Sequence, residues 1–158
     1  MRATMTTPDV HSVDVVSDYE LGSVDPAAIA SLVLAAHAKV ASEVVVSFVD
    51  HATGAELNAS YRGRSEPTNV LSFTDEVAVE GGRTLLGDVV ICHPVAEREA
   101  REQGKTLEAH LTHLLVHGVL HLLGHDHEDD AEASRMEGLE VELLARLGVA
   151  DPYRVRSC

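Results

Sequence analysis

Residues 117 to 127 read HGVLHLLGHDH, and this run constrains the chain more than any other segment. Thr106 upstream is a residue type that caps helices, so a helix is expected from there to about Leu123. On that helix His117 and His121 lie four apart and project from one face about one turn apart, close enough to grip a single ion. Gly124 has no Cβ and can end the helix in the left-handed conformation, which turns the chain back. His127, six positions beyond His121, then has enough chain to return to the ion. His125 competes for the same place, but it follows the glycine immediately and has little chain with which to turn, so the reach argument favours His127.

Neutral imidazole is a preferred ligand of zinc, and the leucines between the histidines give the ion a dry wall. One Zn2+ per chain is the expectation, with the metal's identity left open. Closed structural sites use four protein ligands, mostly thiolates, whereas three nitrogens without a nearby cysteine leave a fourth position for water. The pattern therefore points to a hydrolytic centre. It resembles the HExxH zincin helix of metallopeptidases, yet Gly118 stands where their general-base glutamate would be, so peptidase chemistry is not expected and close backbone packing is. His110 and His113 fall on the same helical stripe, and His113 is expected to stand behind the ligands and orient them. His110, His93, His37, His51 and His11 read as core or surface residues.

The rest of the chain alternates strands and helices. Strand patterns cover 12–16, 43–49 (EVVVSFV), 69–73 (NVLSF) and 84–92 (TLLGDVVIC), with a turn at Gly81-Gly82 before the last. Asp25-Pro26 opens a helix to about Val40, a short one covers 53–61, and PVAEREAREQ runs from Pro94 to a stop at Gly104. The last helix spans about 131–147, with Met136, Leu139, Leu143, Leu144 and Leu147 on one stripe and Gly148 after it. The first two strands are joined through a helix and the last two by a turn. The expected architecture is α/β (α+β): one domain over 11–153, with a mixed sheet of about four strands covered by about five helices. Residues 1–10 read as a flexible extension and 154–158 as a tail.

With 158 residues the chain can bury a core without disulfides, and its two cysteines, Cys92 and Cys158, read as free thiols. Neither a secretory signal nor an apolar membrane span is legible, so a soluble cytoplasmic protein is expected. A formal charge of −14 is the reverse of the footprint expected for non-specific nucleic-acid binding, so a polyanionic substrate needs a local basic site. Glu128, Asp129, Asp130, Glu132, Glu137, Glu140 and Glu142 read as a solvated helix face with an acidic loop.

That local basic site has a candidate in residues 61–73, YRGRSEPTNVLSF, which place Arg62 and Arg64 on a loop ahead of a strand. A guanidinium donates two parallel hydrogen bonds to phosphate and stabilises charge developing on phosphorus. Read alone, the loop is equally well a solvated surface segment.

Together with LLGDVVIC, HGVLHLLGHDH and MEGLEVELLARLGVADPY, that loop makes four blocks in an order that resembles the YbeY-type proteins, over about residues 43–153. These are metal-dependent endoribonucleases of ribosomal RNA maturation and ribosome quality control. The resemblance implies metal ligands at His117, His121 and His127, a functional arginine at Arg62, and ribosomal RNA and ribosome-associated proteins as partners, with neither DNA nor membrane. Ser65 replaces an acidic residue common in the family, and His125 replaces a tyrosine. Two other classes stay open: a ribosome-assembly factor in which the metal is structural, and a metal-dependent hydrolase of another substrate.

Overall fold

The computed structural model describes residues 11–62, 69–79, 82–125 and 129–153. The alternating pattern of residues 42–49 becomes β2 (Ser42–Val49), in which Ser42, Val44, Val46 and Phe48 are buried and the residues between them are half-buried. It lies between β1 (Ser12–Ser17) and β4 (Thr84–Cys92), parallel to both, and β3 (Val70–Ala78) runs antiparallel to β4 at the far edge. The strand order is β1-β2-β4-β3 in one mixed sheet of four strands. Among the described residues five helices accompany it: α1 (Pro26–His37), α2 (His51–Arg62), α3 (His93–Gln103), α4 (Leu107–Leu122) and α5 (Asp130–Arg146). The α+β class and the four-stranded mixed sheet with five helices are thus as the sequence implies.

Register explains which sheet face carries the core. Val46 pairs with Val89 and Phe48 with Ile91, and side chains opposite each other in a parallel ladder share a face. That face packs against Ile29, Val33 and Leu34 of α1 and Leu111, Leu115 and Val119 of α4, with Met136, Leu143 and Leu144 of α5 completing the cluster. Between Glu43 and Val44 the register slips by one residue, placing Gly87 opposite Val44. Gly87 has φ 148°, and a Cβ there would meet the Phe73 carbonyl oxygen at 1.8 Å, so only glycine lets β3 close on β4.

Helix ends follow local chemistry. Asp25 Oδ1 accepts from Ala28 N–H and Thr106 Oγ1 from Ala109 N–H, as their sequence positions predict. Three boundaries differ from expectation by two residues or more. Helix α1 stops at His37 because Ala38 is already extended and the chain must enter β2 at Ser42. Helix α2 begins at His51, where Asp50 Oδ1 accepts from Thr53 N–H. Strand β3 continues through Thr74–Ala78, past a bulge at which Glu76 has φ 54°. The expected extension at 1–10 and tail at 154–158 lie outside the described residues, as does Gly81 of the expected turn.

Candidate metal centre

Helix α4 is enclosed almost all round. From Leu111 to Leu122 every residue is buried except His113, His117 and His121, which are partly exposed and fall on one stripe. Beyond its first turn the helix thus opens to solvent only through imidazoles. The rings form a column with His110 at its base: centroids are 6.4 Å apart for His110 and His113, 6.3 Å for His113 and His117, and 4.7 Å for His117 and His121.

Gly118 is what brings this helix onto the sheet. A Cβ there would stand 2.6 Å from Val89 Cγ1, and Ser72 Oγ donates to the Gly118 carbonyl at 3.1 Å. At the helix end Gly124 takes φ 96°, its N–H reaching the His121 carbonyl and the His125 N–H reaching that of Leu120. This is a Schellman stop, and it reverses the chain as the glycine's position predicts. His125 then lies edge-on to His37 of α1, with 6.1 Å between ring centroids.

Behind the column stands a residue that the sequence reading placed on a solvated face. Glu140 of α5 is 1% exposed, which corrects that expectation. Its Oε2 accepts from His117 Nδ1 at 2.9 Å, and its Oε1 accepts from His113 Nε2 at 2.7 Å and from the Tyr153 hydroxyl. Burial alone would raise this carboxyl's pKa, but the hydrogen bonds from His113, His117 and Tyr153 outweigh it and lower the pKa to about 2. Tyr153 shifts upward, first by burial and then by its bond to the Glu140 carboxylate. A signal for Glu140 was present: residue 140 lies four after Met136 and three before Leu143, a charge set inside an apolar stripe.

A second, smaller arrangement holds the base of the column. His110 is buried with Nε2 2.9 Å from Glu99 Oε1 of α3, and that oxygen also accepts from Asn69 Nδ2. His110 is therefore a core histidine held through Nε2, its buried Nδ1 having no hydrogen-bond partner among the described residues. Its pKa is lowered, burial outweighing the Glu99 contact.

Of the residues expected to form the site, the structure brings His117 and His121 together and ties His113 to His117 through Glu140. Arg62 is the last residue of α2. His127 and Arg64 lie outside the described residues, and among the described residues no group of three or more His, Cys, Asp or Glu side chains could hold a metal ion. On the α2 side of the sheet a cavity of about 500 Å³ is lined by Leu57, Phe73, Asp75, Asp88 and Val90, among others. Burial and the neighbouring Asp75 push the Asp88 carboxyl up. No described helix is long and apolar enough to cross a membrane.

Comparison with known proteins agrees with this architecture. The solution structure of the Thermotoga maritima protein TM1509 superposes with a TM-score of 0.56 at 24% sequence identity, covering 90% of this chain and 99% of that one. That likeness establishes the fold. The family model described as endoribonuclease YbeY matches residues 17–148, a span that holds β2, the arginine loop, the histidine column and Glu140, and the chain belongs to the endoribonuclease YbeY family.

Proposed function

We propose that this chain is a metal-dependent, single-strand-specific endoribonuclease of ribosomal RNA maturation and ribosome quality control, with one zinc-type ion held by His117, His121 and His127. The observation that carries the reading is the face of α4 between Leu111 and Leu122, where only three imidazoles are not buried, in a chain of an endoribonuclease family. The described donors fit such an ion. With its proton on Nδ1 facing Glu140, His117 carries its lone pair on Nε2, the form in which imidazole binds zinc. His125 packs against His37, which supports leaving the third place to His127.

When bound, the ion supplies a Lewis acid that polarises the scissile phosphodiester. The chain's own residues do the rest. Glu140 holds His117 in orientation. Arg62, with Arg64 beside it in sequence, offers a guanidinium for charge developing on phosphorus. The cavity between Asp75 and Asp88 is unsuited to a phosphodiester, because two carboxylates repel it. Aromatic residues make up only 3% of the chain, too few for a stacking platform, so recognition relies on backbone, shape and ribosome-associated proteins. The reading places the protein in the cytoplasm, where ribosomes mature. Peptide hydrolysis is disfavoured because Val89 fills the space that a glutamate at 118 would need.

Purified protein, its metal measured by elemental analysis, is assayed on single-stranded RNA with and without chelator. Cleavage that chelation abolishes and Zn2+ restores is expected. Cleavage indifferent to chelator, or none with metal restored, would sink the proposal. Arg62→Glu is expected to lose cleavage by 100-fold or more, on the order of removing one transition-state charge donor, while keeping its metal. Loss of metal from that variant would remove Arg62 from the role assigned to it.

A further inference from the structure

Four histidines line one face of α4, and the hydrogen bonds behind them separate those that can bind an ion from those that cannot. Glu140 is a buried carboxylate whose Oε2 faces His117 Nδ1 while its Oε1 lies within hydrogen-bond distance of both His113 Nε2 and the Tyr153 hydroxyl, and a carboxylate surrounded in this way accepts at both oxygens. Each ring nitrogen facing it must therefore carry the hydrogen. For His117 that nitrogen is Nδ1, leaving the lone pair on Nε2. For His113 it is Nε2, leaving the lone pair on Nδ1, a buried atom without a hydrogen-bond partner among the described residues. An orphaned acceptor is the milder cost, since an orphaned N–H is the rarer defect in folded proteins. One carboxylate thus sets opposite tautomers on two histidines a turn apart.

Such an arrangement is not needed for stability. A buried charge is costly, and apolar residues at such positions commonly match or exceed the stability of the ionic group they replace. Met136, Leu143 and Leu144 around Glu140 show that an apolar side chain would suit the stripe. What an apolar residue cannot do is hold the His117 proton on Nδ1.

We infer that Glu140 is the positioning residue of the metal centre: its Oε2 fixes the tautomer and orientation of His117, while His113 and Tyr153 lock the carboxylate through Oε1. The inference rests on the metal-dependent reading above. It makes His113 a support and excludes it as a ligand, because its Nε2 is committed to Glu140 and its Nδ1 faces the interior. It also ties Tyr153, seven residues beyond the end of α5, to the centre.

The test uses the full chain, beginning with metal-free wild type. Long-range 15N–1H correlation spectra are expected to show His117 protonated on Nδ1 and His113 on Nε2. A His117 proton on Nε2 overturns the inference without any variant being made. Next, Glu140→Gln keeps the side-chain size but gives three donors one acceptor oxygen and sets an NH2 against an imidazole N–H. Folding is followed by circular dichroism. The folded variant is expected to show a mixed or inverted His117 tautomer, an affinity for Zn2+ and Co2+ lowered about 10–100-fold, and altered Co2+ absorption bands.

Tyr153→Phe removes a donor from Oε1 but leaves Oε2 on His117, so a smaller loss of affinity is expected. Unchanged tautomer and affinity in Glu140→Gln overturn the inference, as does a Tyr153→Phe loss equal to that of Glu140→Gln. Should Glu140→Gln fail to fold, the wild-type tautomers and the Tyr153→Phe affinity decide. Wild-type protein that binds neither Zn2+ nor Co2+, yet shows the expected tautomers, instead overturns the metal-dependent reading, and with it the role of the clamp.

Discussion

Gly118 and Gly124 stand six residues apart at the candidate centre and are glycine for opposite reasons. Gly118 lies in a regular helix, but a side chain there has no room: Val89 Cγ1 is 2.6 Å and Val70 Cγ2 3.4 Å from where Cβ would be. Gly118→Glu would recreate the HExxH pattern in sequence while forcing α4 off the sheet. A loss of about 1–3 kcal/mol or more is expected from such overpacking, read from urea midpoints, with no peptidase activity gained. A variant as stable as wild type would show that α4 is free to move. The sequence made the absence of glutamate legible but not its cause, because Val89 and Gly118 are 29 positions apart and only the register of β4 brings them together. Glu140 was less legible still. It sits within an acidic run, and only its place in the apolar stripe of α5 sets it apart.

At the scale of elements, those whose signals are local were readable. Caps at Asp25 and Thr106 and left-handed stops at Gly104, Gly124 and Gly148 act within one turn of chain, so sequence placed them well. The second half of β3 was not readable. Thr74, Asp75 and Glu76 are polar and exposed, and the strand runs on through them only because Thr74, Val77 and Ala78 on either side of the bulge pair with β4. The stop at Gly124 gives a prediction that separates it from Gly118. No atom of the described residues lies within 4 Å of a Cβ built there, so the expected cost of a side chain is conformational. Gly124→Ala is expected to lose about 1 kcal/mol, the scale of a left-handed L-residue, and Gly124→Asn less, since asparagine tolerates that region. Chemical denaturation of both variants checks the order. An alanine variant equal to wild type would mean that the turn does not need φ 96° to form.

Across the whole molecule, buried and half-buried histidines make stability a function of pH. Burial lowers the pKa of His93, His110 and His125 below the ordinary 6.5, and of His11 as well, with repulsion from Arg83 adding to it. The native protein keeps these rings neutral, whereas the unfolded chain's imidazoles take up protons near 6.5. Their contribution is therefore whole above pH 6.5 and is lost as pH falls toward the folded values. Glu140 acts lower down. With its pKa reduced from 4.5 to about 2, it contributes above pH 4.5 and loses that contribution as pH falls toward 2. Asp88 has the reverse sign, its raised pKa favouring the native state only in acid. The formal charge of −14 also opposes the histidines, because acid relieves self-repulsion. Salt separates these effects, since about 0.15 M shortens the screening length to about 8 Å and weakens the surface repulsion while leaving buried rings unscreened. In metal-free protein at that salt, the urea midpoint is expected to fall from pH 7.5 to 5.5 and to fall again from pH 4.5 to 2.5. A midpoint that is flat or rising between pH 7.5 and 5.5 would show that the histidines are hydrated in the native state and that the enclosure of α4 is looser than its packing implies.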